Sequence, residues 1–176
     1  GVIRLYPRLK FIAEQLISKP LKKKDQDVVL LILSGLYQLI EMRIPDHAAV
    51  SETVKITKSL KKPWAKTLVN AVLRNYQRKA DSITNKIEKN TEAKFAHPFW
   101  WIKIIKHNWS QSDQKNTDDL WQQILLANNQ NPPMTLRLNS LHISRKEYLD
   151  LLSENEITAT MGKHSPDAIC LDKPVQ

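Results

Sequence analysis

Basic side chains cluster at three places in the first half of the sequence, and phosphate binding is the chemistry that they could perform. Three lysines follow Pro20, two precede Pro63, and three more cations recur along the predicted helix that comes next. Loops and an exposed helix face can bring such charges together without burying them, as phosphate binding requires. The predicted nucleic-acid-binding residues are Lys22, Lys23, Lys24, Lys61, Lys62, Lys66, Arg74 and Arg78.

The uneven distribution of charge supports this interpretation more than its total of +9 does. Residues 1–80 carry 16 Lys and Arg against 6 Asp and Glu, a net charge of +10. Residues 81–130 are neutral overall, and residues 131–176 carry a net charge of −1. A basic region joined to a neutral one predicts a polyanionic partner for the basic part. The alternative interpretation is a solvated basic surface that serves solubility.

The sequence indicates no second kind of reactive site. Its three glycines form no glycine-rich turn after a predicted strand, so no cradle for a cofactor phosphate is expected. The single cysteine, Cys170, lies in an apolar extended segment and is predicted to be a packed thiol rather than a nucleophile. The five histidines are scattered, which predicts no metal site. We therefore assign no catalytic, cofactor-binding or metal-binding residue.

Aromatic residues are the other candidates for contact with a nucleic acid, because their rings can stack on bases. Most of those in the middle of the chain fall on the apolar faces of predicted helices. We therefore predict that they pack in the core rather than on a base. They are Phe99, Trp100, Trp101, Trp109 and Trp121.

Helices are predicted to position the basic residues. Apolar side chains at helical spacing predict helices over residues 4–18, 27–41, 46–60, 64–79, 81–90 and 117–128, and His97-Pro98 opens one more. The helix at 27–41 is apolar almost all round, which is typical of a central buried helix. Asp46 is predicted to cap the third helix. The helix at 64–79 has one apolar half, from Trp64 to Tyr76, and a basic opposite half.

The apolar pattern changes after Pro132-Pro133, where a second domain is predicted. Alternation from Met134 to Leu138 predicts a strand, and Ser144 with Glu147 matches a capping box at the start of a helix. Two short extended segments follow. We expect a mainly α protein with two domains, a helical one at residues 1–130 and the beginning of a small α+β module at residues 131–176.

Localisation is predicted from what the sequence lacks. It contains no run of 18 apolar residues, which argues against a membrane span, and its opening residues do not match a signal peptide. A single cysteine is compatible with a reducing compartment. The expectation is a cytoplasmic protein that contacts neither a membrane nor a metal ion.

Five collinear segments resemble a known family over nearly the whole chain. They include Gly35-Leu36-Tyr37-Gln38-Leu39, Arg43-Ile44-Pro45-Asp46-His47-Ala48, Lys62-Pro63-Trp64-Ala65-Lys66 with Asn70-Ala71-Val72-Leu73-Arg74, His97-Pro98-Phe99-Trp100, and Asn131-Pro132-Pro133-Met134-Thr135-Leu136-Arg137-Leu138. Together they resemble the first half of the bacterial 16S ribosomal RNA cytosine-5 methyltransferases of the RsmB, or Sun/Fmu, family.

The resemblance implies an all-helical NusB-like RNA-binding domain, then a small ferredoxin-like RNA-binding module, then a catalytic domain that binds S-adenosylmethionine. It implies 16S ribosomal RNA as the partner of the basic residues. The family's two cysteine motifs are not in this sequence, and Cys170 matches neither. We therefore expect no cofactor in this chain, S-adenosylmethionine in a catalytic domain beyond it, and no methylation by the chain alone. The first helices of the NusB-like domain are also expected to be missing.

Two other functions remain open at this point. A stand-alone NusB-type transcription regulator would explain the basic half equally well, although the mixed segment after Pro132-Pro133 argues against it. A protein-interaction scaffold is the second alternative. Because missing first helices would leave apolar surface on the helix at residues 27–41, self-association is expected.

Overall fold

The computed structural model describes residues 1–110 and 120–175. The chain divides into two compact units, Gly1–Asn129 and Gln130–Gln176. The first is helical, and the second combines one helix with a small sheet. The prediction of a mainly α protein that ends in a partial α+β module is confirmed.

The first unit contains seven helices among the described residues, in an order close to the predicted one. They are α1 (Tyr6–Leu16), α2 (Gln26–Glu41), α3 (Asp46–Ser59), α4 (Ala65–Glu88), α5 (Thr91–Phe95), α6 (Phe99–Trp109) and α7 (Leu120–Asn128), with a short 3-10 turn at Lys23–Asp25. The two helices expected at 64–79 and 81–90 form one element, bent at Lys79, whose backbone is not helical. Residues 117–119 of the last predicted helix lie outside the described residues.

Helix α2 forms the centre of the first unit, as its all-round apolar sequence predicted. Its side chains pack against α1, α3 and α4, and Val28, Ile32, Leu33 and Leu36 are fully buried. Leu30 is an exception because it is half exposed. The expected self-association through this helix stays a prediction.

Gly35 lies where α2 approaches its neighbours most closely. A Cβ atom at this position would lie 2.9 Å from Thr53 Cγ2 on α3 and 2.9 Å from Leu73 Cδ1 on α4. A carbon atom cannot sit so close to two others without displacing them. The glycine therefore sets the spacing of the three central helices.

The start of α3 differs from the prediction. Asp46 is the first helical residue rather than the cap, and Pro45 occupies the cap position without a side-chain hydrogen bond. The Asp46 carboxylate instead accepts a hydrogen bond from Gln77 Nε2 at 3.0 Å. The carboxylate therefore links α3 to α4.

The His97-Pro98 segment holds the end of α5 against α7. His97 is buried, and its Nδ1 donates to the Phe95 carbonyl at 2.5 Å while its Nε2 accepts from Asn128 Nδ2 at 3.0 Å. Asn129 Nδ2 donates to the same carbonyl at 2.6 Å. The Phe95 ring meets the Trp121 ring edge to face at a centroid distance of 5.2 Å. Ile102 of α6 is buried in the same cluster, so α5, α6 and α7 form one packed group.

The second unit has the strand–helix–strand–strand order that the change of period predicted. Its elements are β1 (Met134–Arg137), α8 (Arg145–Glu154), β2 (Ala159–Met161) and β3 (Ala168–Leu171). All pairing is antiparallel and β3 lies in the middle, with Leu136 opposite Ile169. The Ser144 capping box is confirmed, since its hydroxyl accepts from the Glu147 N–H and the Glu147 carboxylate accepts from the Ser144 N–H. In the described part of the chain, no helix is long and apolar enough to cross a membrane.

Replacing Gly35 by alanine is expected to destabilise the first unit by about 1–3 kcal/mol, because overpacking at the α2–α3–α4 contact outweighs the better helix propensity of alanine. Urea unfolding followed by tryptophan fluorescence measures this, since all five tryptophans lie between residues 64 and 121. The neighbouring half-buried Ser34 provides the control. Its replacement by alanine should change stability by less than about 0.5 kcal/mol. Equal stability of the two variants would contradict the close approach at Gly35.

Candidate nucleic-acid interface

Lys62 joins two of the three basic clusters through an ion-pair network. Its ammonium lies 2.8 Å from Asp25 Oδ1 and 2.6 Å from Asp27 Oδ1, and it also donates to the Lys24 carbonyl at 2.8 Å. The Lys62 side chain is 19% exposed and that of Asp25 10%. A charged group this far from water requires a partner. The α3–α4 connection is therefore fastened to the turn before α2.

The pKa values at this network move as an ion pair predicts. The hydrogen bond from Lys62 holds the pKa of Asp27 below its ordinary value, and hydrogen bonds to Asp25 and Asp27 raise the pKa of Lys62. Sequence reasoning assigned Lys62 to phosphate binding, but its charge is already matched by two carboxylates. The structure gives it a positioning role, which the nearby Asp25 and Asp27 could have suggested.

Lys61 has a backbone conformation that glycine normally adopts. Its φ is 55°, and it follows the last turn of α3. The Lys61 N–H donates to the Lys58 carbonyl at 3.0 Å and the Lys62 N–H to the Thr57 carbonyl at 3.0 Å. This is the hydrogen-bond pattern of a Schellman motif, in which a residue other than glycine is strained. The exposed side chain of Lys61 therefore stands where glycine would be more stable.

Lys22, Lys23 and Lys24 lie on the surface next to this junction. All three are exposed, and none of them pairs with a carboxylate of the described residues. The Lys24 carbonyl is held by Lys62 at 2.8 Å, so the backbone that carries the three lysines is fixed. Their charges are therefore free to neutralise an external anion.

Lys66, Arg74 and Arg78 follow the exposed side of α4, as the helical wheel predicted. Among the described residues, Arg74 donates to the neutral amide of Gln77 and Arg78 to that of Asn75, both on the same helix. At a rise of 1.5 Å per residue, the three cations extend over about 18 Å from the first turn of α4. The stripe ends at the bend at Lys79. Because Lys66 follows the α3–α4 connection directly, the three cations of α4 continue the positive surface of that connection.

The aromatic residues are not placed as predicted. Trp121 is buried and Trp101 is partly buried against the cluster around Phe95, but Phe99 is 63% exposed, Trp100 61% and Trp109 47%. The prediction of core packing is wrong for these last three. The apolar spacing predicted the helix α6 correctly. The described neighbours of α6, however, do not cover all of its apolar side chains.

Cys170 is partly buried on the central strand, with its Sγ 3.6 Å from Thr135 Oγ1. Cys170 lies between Ile169 and Leu171, which pack toward α8, so its side chain is on the opposite face of the sheet. No base or second thiol adjoins it among the described residues, where no group of metal-binding side chains was found either. The basic surface is therefore the strongest candidate site in the described chain.

Comparison with known proteins divides the chain into two matches. Residues 1–78 match the NusB family, and residues 97–176 match the ferredoxin-like domain of RsmF/B-like methyltransferases. The first match contains all eight predicted nucleic-acid-binding residues. The second begins within the first compact unit, because it includes α6 and α7.

Curated relatives align with nearly the whole chain. The probable ribosomal RNA small subunit methyltransferase B of Coxiella burnetii is 45% identical over 99% of this chain and 39% of its own length. The ribosomal RNA small subunit methyltransferases B of Pseudomonas putida and Vibrio cholerae are 46% and 43% identical over 97% and 99% of the chain. The chain spans less than two fifths of the length of these relatives.

Replacing Lys62 by methionine is expected to lower the stability of the first unit at neutral pH, because the Asp25 and Asp27 carboxylates lose their partner. Because the pKa of Asp27 is lowered in the folded state, its carboxylate stabilises the fold at pH values above its ordinary pKa of 3.8. That contribution is lost as the pH falls through the pKa of the folded state. Because the pKa of Lys62 is raised in the folded state, its ammonium stabilises the fold at pH values below its ordinary pKa of 10.5. That contribution is lost as the pH rises through the pKa of the folded state. The variant should therefore be less stable to unfolding than wild type over roughly pH 4–10.5. Tryptophan-detected unfolding at pH 7 and pH 3 measures it.

Lys66 provides the matched control for that substitution, since it is exposed and forms no ion pair with a described carboxylate. Its replacement by methionine should leave the unfolding midpoint nearly unchanged at both pH values. A loss of stability for the Lys62 variant that is equally large at pH 3 would show that the ion pair is not its cause.

Replacing Lys61 by glycine is expected to stabilise the first unit by about 1 kcal/mol, because glycine relieves the positive φ. Replacement by alanine removes the same charge but keeps the strained conformation, and it should give no such gain. The two variants are compared by urea unfolding. A gain shared by both would trace the effect to charge and not to the backbone.

Proposed function

Since residues 1–78 belong to the NusB family and residues 97–176 to the ferredoxin-like domains of RsmF/B-like methyltransferases, we propose that this chain docks ribosomal RNA for methylation. The curated relatives are named as small-subunit rRNA methyltransferases. The proposed reaction is methylation of a cytosine at C5 in 16S ribosomal RNA. The region of the relatives that this chain does not span would carry it out. The proposed location is the cytoplasm.

The observation that carries the proposal is the unpaired positive charge within the NusB match. Seven of the eight predicted residues, all except Lys62, lie on the surface without a carboxylate partner among the described residues. Charges of one sign this close together repel each other, so they lower the stability of the fold when no anion is bound. A polyanion removes that cost, and the release of its counterions adds to the affinity.

The fixed backbone under these charges favours a docking surface over a merely solvated face. Lys62 ties the Lys22–Lys24 segment to the α3–α4 connection, and α4 carries the remaining cations on a rigid helix. Preorganised cations lose less conformational freedom on binding than cations on a loose tail would. The arrangement is therefore suited to a particular course of the RNA backbone.

The chain's own residues do not fit S-adenosylmethionine. Gly35 is packed inside α2 and Gly162 lies just after β2, so neither forms a turn from a strand into a helix among the described residues. Such a turn is the usual cradle for an adenosine cofactor in a doubly wound sheet. We assign binding and positioning to this chain and the methyl transfer to another domain.

The second unit is proposed to be the beginning of a further RNA-binding module, with residues 131–176 as its extent. Arg137 is exposed on β1, and it shares the sheet face opposite α8 with Thr135 of the same strand and Cys170 of β3. The exposed Thr135 and Arg137 make the β1 part of this face polar, which suits contact with RNA. The helical domain would occupy residues 1–130.

Replacing Lys66, Arg74 and Arg78 together by glutamate is expected to weaken binding to small-subunit ribosomal RNA helices by at least about tenfold. The slope of log affinity against log salt should fall by about 2–3, since each lost phosphate contact removes about 0.7–0.9. Fluorescence anisotropy at several salt concentrations measures both. Because the three side chains lie outside the core, the variant should keep a cooperative thermal transition.

The matched control replaces three exposed lysines elsewhere in the first unit by glutamate, namely Lys86, Lys89 and Lys103. It changes the net charge equally but should alter the affinity far less. An equal loss of affinity in both variants would show that the interaction depends only on net charge. Absence of salt-dependent binding by the wild-type chain would contradict the proposed function and favour the scaffold alternative.

A further inference from the structure

Trp64 stands on the surface at the junction of the basic clusters. The helical wheel predicted that it would face the core, but its side chain is 52% exposed. It immediately precedes α4, so no earlier helical turn covers it. No ring or cation of the described residues was found stacked on the Trp64 ring. Half of a large aromatic side chain is therefore exposed to solvent beside Lys19, Lys22 and Lys24.

The ring forms one wall of a shallow surface pocket. Pro20 and Leu21 line the pocket together with Trp64, and so do Lys19, Lys22 and Lys24. Leu21 is half-buried against the core, so the apolar side of the pocket is anchored. The pocket therefore combines an aromatic residue with three cationic ones.

The charges of this pocket are unbalanced. Its one acidic group, Asp25, is already held by Lys62 at 2.8 Å. Lys19, Lys22 and Lys24 form no ion pair with a described carboxylate. A ligand for this pocket should therefore be an anion with a planar apolar part.

The position of Trp64 is fixed from both sides. Lys62 is held by two carboxylates and Pro63 restricts the backbone before the ring. After it, α4 begins at Ala65, which is fully buried. A ring held in this way loses little freedom when a ligand stacks on it.

We propose that Trp64 stacks on the base of an unpaired RNA nucleotide while Lys22 and Lys24 neutralise the adjoining phosphates. This inference rests on the proposed function and adds that part of the recognised RNA is single-stranded at this point. Bases inside a duplex are already stacked on each other and do not offer a free face. Stacking is tolerant of sequence, so the pocket would recognise an exposed base rather than a particular one.

The test compares variants of the whole chain for binding to a single-stranded RNA of about ten nucleotides and to a duplex of equal length. Trp64→Leu should weaken binding to the single strand about tenfold, and Trp64→Phe should retain most of the affinity. The salt dependence should stay as in wild type, because no charge is removed. Affinity for the duplex should hardly change.

Trp100→Leu provides the control, since this ring is 61% exposed on α6 and does not line the Trp64 pocket. It should bind the single strand like wild type. An equal loss in the Trp100 and Trp64 variants, or no loss in the Trp64 variant, would overturn the stacking proposal. A double variant, Lys22→Glu with Lys24→Glu, tests RNA docking separately. It should still weaken RNA binding if only the stacking proposal is wrong. A wild-type chain that binds neither RNA would overturn both proposals.

A second measurement does not depend on the folding of any variant. Single-stranded RNA that contains 5-iodouridine is irradiated in complex with the wild-type chain, and the adduct is located by mass spectrometry. The expected adduct is on Trp64. Adducts confined to Phe99, Trp100 or Trp109 would place the stacked base on α6 and overturn the assignment.

Discussion

The ion pairs between Lys62 and the carboxylates of Asp25 and Asp27 connect the two chain segments on which the proposed interface depends. One segment carries Lys22–Lys24 before α2, and the other leads from α3 into α4. Without the pairs, the Asp25 and Asp27 carboxylates would lose their partner, and the contact between the two segments would weaken. A buried and a partly exposed carboxylate therefore hold together two segments that carry mostly positive charge.

A surface that binds a polyanion conflicts with the stability of its own fold. Unpaired like charges and a lysine in a left-handed conformation both raise the free energy of the folded chain. The core opposes these costs through dense packing around α2, where Gly35 lets α3 and α4 approach closely. The rigid helices then hold the cations in place, which is the condition for recognising one course of an RNA backbone.

The family matches and the compact units divide the chain at different places. The RsmF/B-like match begins at residue 97, yet α6 and α7 pack with α5 through Phe95, Trp121 and the hydrogen bonds of His97. A segment can thus belong to one family domain by sequence and to another packed body by contact. The exposed rings of Phe99 and Trp100 lie on this shared segment.

The sequence by itself determined the helices, the change to a strand pattern after Pro132-Pro133, the buried position of α2 and the exposed basic side of α4. These features depend on local periodicity, which is a property of neighbouring residues. Only the tertiary structure decided which lysines are free, because the partners of Lys62 lie 35 and 37 positions away in the chain. It also decided that Trp64, Phe99, Trp100 and Trp109 are exposed, since a helical wheel identifies an apolar face but not whether another element covers it.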